Sequence, residues 1–246
     1  KSVFPDGGKE FLASAGLDES WSEVLSDVPS AVRGDGDFNP WRILLGLRDF
    51  WTATSNWRAA FVGTQVLLKY HQVGAGLGHP NALLEQARLG IIAGELGETK
   101  RALHFLVPAW TGLIAAFGAQ DVRLAPMAEV LGDLYLKEEE FTRAQKAYES
   151  GYVMQKVADE GAPAQLAEPL MQLFVDQDDL ESALPYLKET VEWYEVNVGH
   201  EAYETIEHVQ SLVMILGRLR RIGESVHYLD RWHTAILELE DSEDVI

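Results

Sequence analysis

The 246-residue sequence contains no cysteine, which excludes disulfides, thiol nucleophiles and thiolate zinc sites. It has no uninterrupted apolar run of the roughly 18 residues that a membrane-spanning helix needs, so direct membrane insertion is not expected. Positive charge is scarce: 20 Lys+Arg stand against 39 Asp+Glu, a net charge of −19. Such a chain repels phosphate at long range, which argues against nucleic acid and anionic membrane surfaces as partners. No Gly-Lys-Ser/Thr phosphate loop and no Gly-x-Ser-x-Gly nucleophile elbow occurs. Neither a cofactor nor an enzymatic activity is expected. The first residue is Lys1 rather than methionine, as in a processed chain or a fragment of a longer protein. The composition suits a soluble chain, cytoplasmic or processed for an organelle, and carries no signal that selects between them.

What the sequence does have is helical patterning. Hydrophobic residues make up 47% and charged residues 24%, the balance of a folded protein rather than a disordered one. Apolar residues recur at three-and-four spacing and do not sustain the alternation of a strand. The pattern repeats. Leu47, Leu89, Leu131, Leu170 and Leu212 follow one another at intervals of 42, 42, 39 and 42 residues. One helical turn after each stands Trp51, Ala93, Tyr135, Phe174 or Leu216. Ten residues after each leucine comes Trp57, Thr99, Phe141, Leu180 or Ile222, and thirteen after it a small residue: Ala60, Ala102, Ala144, Ala183 or Ser225. Each unit therefore reads as two helices joined by a short polar turn, such as Glu138-Glu139-Glu140. The small residue early in the second helix lets two backbones approach; a large one there costs roughly 1–3 kcal/mol by overpacking. One helix pair cannot bury its own apolar face, so successive pairs must stack.

The run Leu131-Gly132-x-x-Tyr135…Phe141-x-x-Ala144…Tyr148 resembles the tetratricopeptide repeat, and Leu89-Gly90…Ala102…Leu106…Ala109 matches it without the aromatics. The 42-residue step resembles the variant found in kinesin light chain, as does the His-Pro entry in the segment Leu77–Ala87. The segment Val198–His208 is a weaker echo that lacks the proline. The resemblance covers about 205 of the 246 residues, and it implies an all-α fold: an α-solenoid, a right-handed superhelix of about five helix pairs. The expected organisation is an N-terminal extension over 1–37 with two short helices and an Arg33–Pro40 loop, a repeat domain over 38–240, and an acidic tail over 241–246. Arg48, where glycine or alanine is usual, and Ser225 mark drift at the two ends, which suits capping repeats. Pro108, Pro169 and Pro185 fall inside expected helices, where they should bend the helix or delay its start.

Chemistry-bearing combinations are few. Arg33-Gly34-Asp35 reads as a turn. Asp35–Asn39 begins like a calcium loop, but Pro40 occupies the place of the required glycine and Gly46 that of the closing glutamate. Gly74–Gly78 follows a helix rather than a strand and lacks a dinucleotide-binding context. His200, Glu204 and His208 share a helical spacing suited to a metal, but no completing ligand is identifiable, and His200 falls where a helix is expected to start. His227 and His233 fall on opposite sides of a helix. No metal site is expected.

The resemblance implies that the first helix of each pair lines a groove. Carried over unit by unit, it places Arg42, Leu45 and Asp49 there, then Ala87, Ile91 and Glu95, then Glu129, Asp133 and Lys137. Glu168, Gln172 and Asp176 follow, then Glu207, Gln210, Met214 and Arg218. Of these, Glu129, Asp133, Glu168, Gln172, Asp176, Glu207 and Gln210 form the candidate partner-binding surface. Acids dominate it, and Glu129 and Asp133 repel one another across one turn. The expected partner is a protein offering a basic or amide-rich segment. The Lys, Asn and Arg that the family uses to clamp an acidic chaperone tail are replaced here mainly by acids and Gln. Of the 7 Trp residues, Trp51 and Trp57 fall on core positions of the repeat, whereas Trp21 and Trp41 have no repeat position. The expected function is a non-enzymatic protein–protein interaction scaffold. The alternatives are a subunit of a large assembly, a regulatory repeat domain of a longer protein, or an enzyme or metal protein built on the His200 stripe.

Overall fold

The computed structural model describes residues 40–158 and 164–243. The N-terminal extension, most of the Arg33–Pro40 loop, Trp21 and the last three residues lie outside them, and the side chain of Trp41 is not described. Among the described residues there are ten α-helices and one short 3-10 turn, and no strand. The chain divides into two compact units, residues 1–119 and 120–246. The first holds α1 (Pro40–Ala53), α2 (Trp57–Ala75), α3 (Pro80–Glu95) and α4 (Thr99–Phe117). The second holds the 3-10 turn Val122–Leu124, α5 (Ala125–Lys137), α6 (Phe141–Ala158), α7 (Ala164–Asp176), α8 (Leu180–Asn197), α9 (Tyr203–Arg218) and α10 (Ile222–Glu243). Helix α10 thus continues into the acidic tail.

The repeat register of the sequence is the register of the helices. Trp57, Thr99, Phe141, Leu180 and Ile222 are the first residues of α2, α4, α6, α8 and α10. The five register leucines and the five small residues are all buried. Each turn within a pair is built alike. The residue two before the second helix has a left-handed backbone: Ser55, Gly97, Glu139, Asp178 and Arg220, with φ of 55°, 76°, 59°, 59° and 59°. The next residue sends its N–H back five positions along the chain. Asn56 donates to the Trp51 carbonyl at 2.7 Å, Glu98 to Ala93 at 2.9 Å, and Glu140 to Tyr135 at 2.8 Å. Asp179 donates to Phe174 and Arg221 to Leu216, both at 2.9 Å. This is the Schellman closure, which satisfies carbonyls that a helix end leaves orphaned. The residue that closes the first helix then opens the second. The carbonyls of Asn56, Glu98, Glu140, Asp179 and Arg221 accept the N–H of the small register residue. Asn56 and Asp179 also cap through their side chains.

Close approach within a pair is visible at two glycines. A Cβ on Gly90 would lie 2.4 Å from Leu106 Cγ and 2.9 Å from the Ala102 carbonyl oxygen. One on Gly132 would lie 2.3 Å from the Tyr148 ring. Helix entries between pairs vary more. His79 caps α3 by accepting the Asn81 N–H at Nδ1, and Pro80 fills the first helical position. Before α9, Ala202 caps without a side chain, and Thr205 Oγ1 donates to the Gly199 carbonyl at 2.6 Å. Pro108, Pro169 and Pro185 all lie inside helices that run on past them. None of these helices starts late at its proline.

Candidate functional site

The first helices of the last three pairs, α5, α7 and α9, belong to the second unit. An open cleft of about 520 Å³ is lined by Glu129 of α5 and by Glu168, Pro169 and Gln172 of α7. Glu129, Glu168 and Gln172 come from positions 39–43 residues apart in sequence and meet because the repeat places them at matching points on successive first helices. The Glu129 carboxyl is pushed above the usual carboxylate value, by burial and by the Asp133 charge one turn along. Asp133 is exposed on the solvent side and accepts a hydrogen bond from the buried Tyr148 hydroxyl at 2.5 Å. Burial, that hydrogen bond and the two carboxylates raise the Tyr148 hydroxyl far above its ordinary value. The phenol is therefore fixed as a donor to Asp133.

The remaining predicted groove residues are placed as follows. Gln172 donates its amide to Asp176 Oδ1 at 2.6 Å, one turn along α7. Glu207 accepts from the Tyr203 hydroxyl at 3.0 Å. Gln210 and Met214 are exposed further along α9. Asp176, Glu207 and Gln210 do not line the cleft around Glu129 and Glu168. His208 does reach toward it: its Nε2 is 4.0 Å from Glu168 Oε1, and its Nδ1–H donates to the Glu204 carbonyl at 2.7 Å. The ring stacks on Tyr194, with centroids 4.5 Å apart. His208 therefore bridges α7, α8 and α9, a role that its place in the repeat did not announce.

The His200 stripe is not one helical face. His200 lies in the turn before α9, with Nδ1 3.7 Å from Glu195, while Glu204 and His208 lie within α9. Among the described residues no group of three or more His, Asp or Glu side chains is arranged to hold a metal. No helix among them is long and apolar enough to cross a membrane.

In the first unit the candidate positions do something else. Arg48 is buried and donates from Nη1 to both Glu85 oxygens, at 2.9 and 2.8 Å, while its Nε and Nη2 hold the exposed Asp49. Glu85 is buried too, and also receives Arg88 Nη1 at 2.5 Å. The residue that breaks the repeat pattern thus forms a buried charge pair between α1 and α3. The sequence signal was present as an arginine at a small-residue position; its partner, 37 residues away, was not identifiable.

No family profile matches the sequence, and no curated protein matches it. Solved structures do. A putative kinesin light chain of Podosopora anserina with nearly identical TPR-like repeats superposes with a TM-score of 0.62 at 12% identity, covering 84% of this chain and 100% of that one. BtubC from P. vanneervenii gives a TM-score of 0.62 at 14% identity, covering 94% of this chain and 92% of the other. MamA (41-end) from Desulfovibrio magneticus RS-1 gives 0.56 at 14% identity, over 85% and 99%. The chain has a TPR-like fold. Its five TPR-like pairs are α1–α2, α3–α4, α5–α6, α7–α8 and α9–α10, and the cleft lies between the first helices of the third and fourth.

Proposed function

We propose that this chain is a non-enzymatic protein-interaction module whose second unit binds a basic or amide-rich segment of a partner protein. The observation that carries this reading is the convergence of Glu129, Glu168 and Gln172, from two TPR-like pairs, on one open cleft. Two carboxylates and an amide suit lysine or arginine side chains and backbone or side-chain amides. The net charge of −19 favours basic segments in the encounter as well. Asp133 contributes charge but is also tied to Tyr148, so its replacement mixes binding with folding.

The test uses immobilised full chain against panels of basic, Gln/Asn-rich and acidic peptides, followed by reversal of Glu129 and Glu168 to Lys together. The reversal should weaken the best basic peptide more than tenfold and abolish its salt dependence, because repulsion replaces attraction. Reversing Glu192 and Glu201, exposed outside the cleft, should leave affinity nearly unchanged. Equal losses from both double variants, or a preference for acidic peptides, would remove the cleft as the site.

A further inference from the structure

His208 brings to the edge of the cleft a constraint that carboxylates alone do not carry. Its side chain is only 14% exposed, and its ring stacks on Tyr194 with centroids 4.5 Å apart and planes inclined at 29°. The stack fixes the ring plane, and Nδ1 lies 2.7 Å from the Glu204 carbonyl oxygen. A carbonyl oxygen only accepts, so Nδ1 carries the hydrogen, and in the neutral ring Nε2 is an acceptor. Its neighbour is another acceptor, Glu168 Oε1, 4.0 Å away. Neither can satisfy the other without a proton or a donor from outside.

The rest of the cleft has the same character. Glu129 and Glu168 present carboxylates, and Gln172 commits its amide nitrogen to Asp176. The Glu168 charge is also felt at Tyr194, whose hydroxyl is raised above its ordinary value by burial and by Glu168 and Glu204. Acceptors thus converge from α5, α7 and α9. A primary amide would bring an oxygen among them together with its donors. An ammonium or a guanidinium brings donors only, and a positive charge.

We propose that His208 Nε2 and Glu168 jointly hold one cationic side chain, lysine or arginine, of the bound segment, and that His208 makes the cleft select cations over amides. A nitrogen seated about 2.9 Å from each acceptor donates to both, and joins two groups that otherwise only face each other. A further carboxylate in place of the imidazole would add to the repulsion already felt between Glu129 and Asp133. A neutral acceptor adds a hydrogen bond without that charge. The inference rests on the cleft as the binding site and narrows its ligand from basic or amide-rich to basic.

The test uses the full chain at neutral pH and short fluorescent peptides that alternate serine with arginine, lysine, citrulline or glutamine. Citrulline keeps the shape of arginine but not its charge. The arginine and lysine peptides should bind roughly tenfold more tightly than the citrulline and glutamine ones. His208→Phe keeps an aromatic ring against Tyr194 but removes the acceptor. It should weaken the arginine peptide roughly fivefold, with helicity and urea midpoint close to the parent's. His208→Gln, whose side-chain oxygen can reach the same place, should recover most of that loss. His208→Lys sets a tethered cation beside Glu168 and should weaken the arginine peptide further than His208→Phe does. Nitrogen NMR of the free chain should place the ring hydrogen on Nδ1. Citrulline binding as tightly as arginine, equal affinity of the parent and His208→Phe, or a hydrogen on Nε2 in the free chain would each overturn the proposal. The cleft itself is judged separately. Loss of arginine-peptide binding on reversal of Glu129 and Glu168 with a flat His208 series overturns this inference alone, whereas no response to the reversal removes the cleft and the inference together.

Discussion

The buried hydroxyl of Tyr148 donates to Asp133 at 2.5 Å, linking the core of the third TPR-like pair to the edge of its acidic face. Tyr148→Phe should therefore cost about 0.5–1.5 kcal/mol in urea unfolding at neutral pH. Tyr148 ionises at higher pH in the folded chain than in the unfolded one. Its contribution is thus fully present below the unfolded value of about 10 and is lost as pH rises beyond it. The phenylalanine variant should show a smaller loss of stability above about pH 10 than the parent; equal slopes would contradict the assignment.

Glu129 shifts in the same direction, but in the acid range. Its folded value is raised, so the folded state favours the protonated acid, and ionisation works against folding as pH rises. Glu129→Gln should stabilise the chain at pH 7 by about 0.2–0.5 kcal/mol, the scale of a like-charge pair one turn apart. The gain should fade as pH falls below the carboxylate range, where the parent is neutral as well. Urea midpoints at the two pH values decide it.

The Arg48–Glu85 pair is expected to be costly to break and cheap to replace. Glu85→Ala leaves the buried Arg48 held only by the exposed Asp49 and should destabilise by about 3–5 kcal/mol. Replacing both residues with methionine should recover most of that loss, because two buried charges no longer need compensation. Chemical denaturation of the two variants side by side tests this; equal losses would mean that the pair is not what the site depends on.

Glu139 occupies a left-handed backbone position, with φ of 59°, at a conformational cost that glycine avoids. Glu139→Gly should raise stability by about 0.5–1 kcal/mol once glycine's extra unfolded-state entropy is counted. The same change at Glu138, whose φ is −94°, should lower it. Thermal melts of the two variants should move in opposite directions.

The fold was legible because burial repeats. Five leucines and five small residues at fixed offsets recover the helix pairs, and the residue ten after each leucine is where each second helix begins. The turns were less legible in detail. Only Gly97 advertises a left-handed residue, while Ser55, Glu139, Asp178 and Arg220 adopt the same geometry without the composition cue. There the packing of the pair overrides local preference. At the candidate site, the repeat offset brought Glu129, Glu168 and Gln172 to one cleft, but not Asp176, Glu207 or Gln210. Pro169 and the reach of His208 went unseen, since neither follows from a residue's place in its own repeat. The apparent metal stripe failed for a local reason: α9 begins three residues after His200.

The buried pair in the first unit also constrains how this chain can be rearranged. Glu85 corresponds in the next two pairs to Met127 and Leu166, neither of which can answer a guanidinium. A shuffled chain that set either one beside α1 would keep its leucine spacing and its turns, yet leave the buried Arg48 held by the exposed Asp49 alone. The modules look alike in outline but are not interchangeable: α3 answers Arg48 with a buried carboxylate, and the matching positions of the next two pairs do not.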